Sequence, residues 1–155
     1  MRLLPLAAVL LVAACGTSGT STTPAPTHTV VVTHSAVPLP TIEGKPVLFS
    51  TPGGNVACDL EPAYARCDVR KHAWPTPKKP SDCHNTWGRA VQVAAGSPAQ
   101  FICWFGTSPL GARRVLPLGQ ALQVGLMTCR TLADGVECGG QGHSFRLGRA
   151  SYHLG

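Results

Sequence analysis

Acidic side chains are scarce in this chain: seven Asp and Glu stand against thirteen Lys and Arg in 155 residues, a net charge of +6. Three of the seven, Asp59, Glu61 and Asp68, flank a cysteine pair instead of facing one another across an evident cleft, so paired-carboxylate acid–base chemistry finds no support. Long apolar runs are missing too. The longest, Leu3 to Ala14, would rise about 18 Å as a helix against a hydrocarbon core of about 30 Å, which argues against a spanning segment. Helical periodicity is weak, while 17 Gly and 14 Pro recur throughout and break helices. No G-x-S-x-G, H-E-x-x-H or phosphate-loop pattern occurs. The basic residues Arg70-Lys71, Lys78-Lys79 and Arg113-Arg114 come as short pairs without an arginine-rich helix or an aromatic nucleic-acid motif, so they read as solvated surface and nucleic acid is not expected as a partner.

Cysteine is present in an odd number, seven. Six of them, Cys58, Cys67, Cys83, Cys103, Cys129 and Cys138, fall in one stretch, and Cys15 stands apart. No two are spaced C-x2-C or C-x4-C, as a structural zinc site would want, so the pattern predicts cystines, with no metal and no cofactor. Cys15 closes the apolar run after Arg2, in the order Val12-Ala13-Ala14-Cys15. The layout is that of an export signal. It resembles the bacterial lipobox, an aliphatic residue and two small ones before a cysteine whose thiol receives diacylglycerol. Small residues let the extended backbone enter a peptidase cleft, and the thiol supplies the thioether. The resemblance implies a signal peptide over 1–14 and an acyl anchor on Cys15, held at the outer face of the cell membrane with two chains for stable attachment.

Residues 15–41 are Thr-, Ser- and Pro-rich, and from Gly16 onward they carry no charge. Such a segment buries too little apolar surface to offset its ordering entropy and reads as a tether, with Val30-Val31-Val32 as its single strand-like stretch. Residues 42–155 read as one mainly β domain with little helix. In "NVACDL" Val56, Cys58 and Leu60 share a face, and in "AYARCDV" Ala65, Cys67 and Val69 do the same. The arrangement returns in "MTCRTLADGVEC", where Met127 goes with Cys129 and Val136 with Cys138. Both pairs are spaced C-x8-C. Turns centred on Pro62-Ala63 and on Ala133-Asp134, with the hairpin signal Asp134-Gly135, set Cys58 opposite Cys67 and Cys129 opposite Cys138. By elimination Cys83 pairs with Cys103, tying "WPTPKKPSDC" to "QFICWF". The expected fold is a small antiparallel sheet domain with two cystine hairpins and three disulfides.

Candidate contact residues are few. His28 and His34 fall in the tether; His72, His84 and His153 lie in no site-like setting. His143, in "GGQGHSF", is flanked by glycines that would let a ligand approach the backbone. Ser144 follows it directly and faces the other way on a strand, so the two are not a nucleophile and base by spacing. Asp82-Cys83-His84 loses its thiol to the third bridge. Trp74 and Trp87 bracket that bridge as core aromatics, whereas an exposed Trp104-Phe105 pair would offer a contact patch to a partner or glycan.

Taken in order, "FSTPGGNVAC", "RCDV", Trp74-Pro75, Cys83 with Trp87-Gly88, "FIC", "LPLG", "GVEC", "GHSF" and "SY" resemble a family of small exported and lipid-anchored actinobacterial proteins with a six-cysteine domain. The likeness covers roughly residues 48–153. It implies a compartment and a cystine-braced domain and carries over no catalytic residue. Where members of that family have Gly-Asp-Thr after the F-x-C strand, this chain has Trp104-Phe105-Gly106-Thr107, and it has Ser144 in place of a glycine.

The reading is an envelope lipoprotein with a non-catalytic binding or interaction module, its partner a protein, a glycan or an anionic lipid. One alternative is a hydrolase or transferase using His143 with an acidic residue brought near by folding, such as Asp68 or Asp134. Another is a disulfide-braced inhibitor of a secreted hydrolase, which needs a rigid exposed loop such as Pro75 to Pro80. Intact mass of the native protein should show a chain beginning at Cys15 and carrying acyl groups, and reduction should add the hydrogens of three opened bridges.

Overall fold

A computed structural model describes residues 45–155. Cys15, the signal-like run, the tether and Val30-Val31-Val32 lie outside the described residues. The described chain forms ten strands: β1 Val47–Ser50, β2 Val56–Leu60, β3 Tyr64–Val69, β4 Ala90–Ala94, β5 Gln100–Phe101, β6 Ala121–Val124, β7 Met127–Leu132, β8 Gly135–Gly140, β9 His143–Gly148 and β10 Tyr152–Leu154. A single 3-10 turn, Pro109–Gly111, interrupts them. Strands one to five make one antiparallel meander and strands six to ten another, each strand pairing with its neighbours in sequence.

Short period-2 segments separated by Gly- and Pro-bearing turns favour this arrangement, because each hairpin costs little loop entropy and fixes the register of the next. Alternation then sorts each strand into an inner and an outer face. Inner residues of both sheets, Phe49, Leu60, Val69 and Val93 from the first and Leu122, Met127, Val136 and Phe145 from the second, are buried in one apolar cluster. The described residues form a two-sheet sandwich.

The three expected bridges are present: Cys58–Cys67, Cys83–Cys103 and Cys129–Cys138. In the two hairpins the half-cystines are directly opposed, with Cα–Cα separations of 4.0 and 4.1 Å. The echo between the halves extends beyond the hairpins. Across the first sheet the register aligns Phe49, Cys58, Cys67, Val91 and Phe101; across the second it aligns Leu122, Cys129, Cys138, Phe145 and Leu154. Each half is the same five-strand unit with a cystine joining its second and third strands.

The two rows meet face to face, and Cys67 Sγ lies 3.5 Å from Cys138 Sγ. The sulfurs of Cys58, Cys67 and Cys138 fall within 4.8 Å of one another, a cluster of oxidised sulfurs and not of thiolate ligands. The tips interlock as well. The β6–β7 turn needs Gly125 at φ +56 because a Cβ there would strike the Pro62 backbone, and Leu126 N–H donates to the Pro62 carbonyl at 2.9 Å. Gly135 plays a different part from the one its Asp-Gly setting suggests. Its φ is not positive; it opens β8, and a side chain there would collide with the Leu147 carbonyl of β9.

Because the two hairpin cystines touch, their contributions should be coupled. Replacing Cys58 and Cys67, or Cys129 and Cys138, by alanine should each lower stability by about 2–3 kcal/mol. The quadruple variant should depart from the sum of the two by more than about 0.5 kcal/mol in urea unfolding.

Candidate functional site

On β3, Arg66 and Asp68 flank Cys67 and face away from the core, yet they are only 2% and 5% exposed. The chain between β5 and β6 folds back to cover them. Arg66 donates through Nε to Asp68 Oδ1 at 2.9 Å and through Nη2 to Oδ2 at 2.8 Å. Ser108 Oγ donates to the same Oδ2 at 2.6 Å, and Arg66 Nη1 reaches the Thr107 carbonyl at 3.4 Å. The Trp104 ring lies over the guanidinium, with Cζ 3.2 Å from its centroid. Farther along, Arg70 Nη2 donates to the Leu110 carbonyl at 3.0 Å. Outer-face charges on one strand thus hold down a segment some forty residues later. A bidentate, hydroxyl-supported carboxylate of this kind has its lone pairs committed, which suits it to fastening the cover and not to proton transfer. Trp104 Nε1 is buried without a hydrogen-bond partner among the described residues, and Phe105 stacks beside the Trp104 ring with 74% exposure. The expected Trp104-Phe105 pair is therefore divided, one ring fastened over Arg66 and one open to solvent.

Asp59 lies across the ladder from Arg66 and accepts from the Tyr64 hydroxyl at 3.3 Å. Burial, followed by the Asp59 charge, raises the pKa of Glu61 above its ordinary value of 4.5. Tyr64 is also raised, first by burial, then by the Asp59 and Glu61 charges and the bond to Asp59, with Arg66 opposing.

His143 lines a shallow depression of about 500 Å³ on the second sheet together with Arg130, Glu137, Gly139 and Ser144. The Glu137 carboxylate accepts from Arg146 Nε at 3.2 Å. Neither acid considered as a partner for His143 comes to this depression. Asp68 is held under the cover of the first sheet, and Asp134 sits at the β7–β8 turn, a strand length of about 20 Å from the end of the sheet where His143 opens β9.

A larger groove, about 810 Å³, opens where the β1–β2 turn, the chain after β3, the β7–β8 turn and the β9–β10 turn converge. Arg70, Lys71 and Arg149 line it, Asp134 is its single carboxylate, and Gly53 and Gly54 present bare backbone. Asn55 shapes the wall by bonding both the Lys71 N–H and the Lys71 carbonyl, at 3.1 and 3.0 Å. Arg89 donates to the Arg70 carbonyl just behind it. Ala73 N–H donates to the Arg149 carbonyl at 2.8 Å, joining the two sheets at this end. From sequence the Arg70-Lys71 pair reads as solvated surface; the fold places Arg149 on the same groove. No local signal marks Arg149, because the cations come from loops of different sheets. Comparison with family models, curated proteins and solved structures gives no match to this chain.

Asp68→Ala should cost about 3–5 kcal/mol by stranding a buried guanidinium, and Arg66→Met with Asp68→Leu should recover most of that in urea unfolding. A separate test concerns pH. With a folded-state pKa raised above 4.5, native Glu61 holds its proton more tightly than the unfolded chain does. Stability from this group is full below 4.5 and is lost as pH rises through the folded value. Glu61→Gln should flatten that decline in a series of melting temperatures across the weakly acidic range.

Proposed function

We propose that this protein is an envelope lipoprotein, anchored through diacylglycerol on Cys15, whose folded domain is a non-catalytic binding module for phosphate-bearing anionic ligands. The observation that carries the ligand class is the convergence of Arg70, Lys71 and Arg149 on one groove with a single opposing carboxylate, Asp134. A concavity lined by one sign of charge concentrates counter-ions, and bare glycine backbone allows phosphate oxygens to approach closely. The cystine core supplies a rigid frame for those loops. Anchoring is supported by the lipobox-like sequence at Cys15 and by its place outside the six cysteines that pair among themselves. Among the described residues no helix is long and apolar enough to cross a membrane.

Binding is tested with two phosphate sources, soluble polyphosphate and vesicles of phosphatidylcholine with or without phosphatidylglycerol. The wild type should bind one of them in a salt-sensitive manner. Lys71→Glu with Arg149→Glu should weaken that binding roughly tenfold or more, given about 1 kcal/mol for each basic residue near an anionic surface. Binding to neither source, or equal binding by the variant, would overturn the ligand class. Cys15→Ala should release the protein into the medium or leave an unprocessed precursor; a cleaved, lipid-bearing product retained as in wild type refutes the anchor.

A further inference from the structure

Between β3 and β4 the chain runs through Pro75-Thr76-Pro77-Lys78-Lys79-Pro80 without regular secondary structure, exposed at every position except the half-buried Pro77. Exposed, Pro-rich segments are ordinarily loose, and this one is pinned along its length. Trp74 is buried at its start and donates through Nε1 to the Gly148 carbonyl at 3.0 Å. Trp87 Nε1 donates to the Pro77 carbonyl at 2.9 Å, and Lys79 Nζ to the Asn85 carbonyl at 2.9 Å. Cys83 N–H bonds the Pro80 carbonyl at 3.1 Å, and the Cys83 bridge to Cys103 fixes the far end. Gly88, at φ +77, lies so close to Thr76 that a side chain there would collide with it. Three prolines restrict φ further.

We infer that this loop is a substrate-like inhibitory loop for serine proteases whose primary pocket is acidic, with Lys78 as the residue that enters the pocket. This reading is independent of the anionic-ligand groove and uses a different surface. An exposed lysine next to Pro77 offers the positive charge that such a pocket selects, and a loop already held in place spares the ordering cost that a flexible substrate bears on binding.

The supports on either side of the Lys78–Lys79 bond explain why it inhibits instead of being consumed. When the protease serine oxygen attacks the Lys78 carbonyl, an ester forms, the Lys78–Lys79 peptide bond breaks and the Lys79 nitrogen takes up the proton. The acyl side stays tied through the Pro77 carbonyl to Trp87, and the amine side through Lys79 Nζ to Asn85, both on the segment between Cys83 and Gly88. The new amine therefore remains beside the ester. It attacks back, restores the peptide bond and frees the serine faster than water can enter.

The test uses the full chain with trypsin, following hydrolysis of a chromogenic substrate and the mass of the chain over time. Wild type should inhibit near stoichiometric ratio, with any nick confined to Lys78–Lys79 and reaching a plateau with intact chain present. Lys78→Ala should weaken inhibition at least about 30-fold, the scale of a central contact residue, with an unchanged melting temperature. Trp87→Phe keeps an aromatic ring and removes the N–H donor, and should turn the protein into a faster-cleaved, poorer inhibitor. An elastase-type enzyme with a small apolar pocket should be unaffected. Rapid complete cleavage without inhibition, nicking elsewhere first, or no slowing of trypsin by wild type would each overturn the inference.

Discussion

Two cystines in contact across the centre of the sandwich are what the other elements are arranged around. Each joins the second and third strands of a five-strand meander, and their sulfurs approach to 3.5 Å between Cys67 and Cys138. The chain is only 6% aromatic, and its strands are short. A covalent rung in each sheet fixes the register locally, and because sulfur is apolar and polarisable the two rungs also pack against each other as core side chains. Phe49 and Phe101 extend the row on one sheet, Leu122 and Phe145 on the other.

Once the inner faces are committed to that row, the outer faces take different roles. On the first sheet Arg66 and Asp68, the immediate neighbours of Cys67, are drawn under the returning chain and become its fastening through Trp104, Thr107 and Ser108. On the second sheet Arg130, Glu137 and Arg146 stay near solvent. Trp104 supplies the ring that lies over the Arg66 guanidinium. Away from the strands lie a cation-lined groove where turns of both sheets meet and a braced proline-rich loop carrying Lys78 and Lys79.

The hairpins were legible in the sequence because they are local. Period-2 alternation put Cys58 with Val56 and Leu60, the C-x8-C spacing centred each turn, and the third bridge followed by elimination. The groove was not. Arg70-Lys71 and Arg149 lie on loops from different sheets, and only the face-to-face packing of the two meanders brings them together. His143, singled out by its glycine setting, lines a depression with Glu137 and Arg130, and Asp68 and Asp134 lie elsewhere in the fold.

Sequence alone determined strand alternation, the three cystine pairings and the mainly antiparallel class, since each depends on residues within a hairpin or on counting what remains. Tertiary structure decided that the two halves face each other sulfur to sulfur, that Arg66 and Asp68 are buried despite outward-pointing positions, and that the Arg70-Lys71 pair shares one groove with Arg149. The reason is range: a period-2 pattern says which face a side chain takes, and only the packing of distant segments says what covers that face.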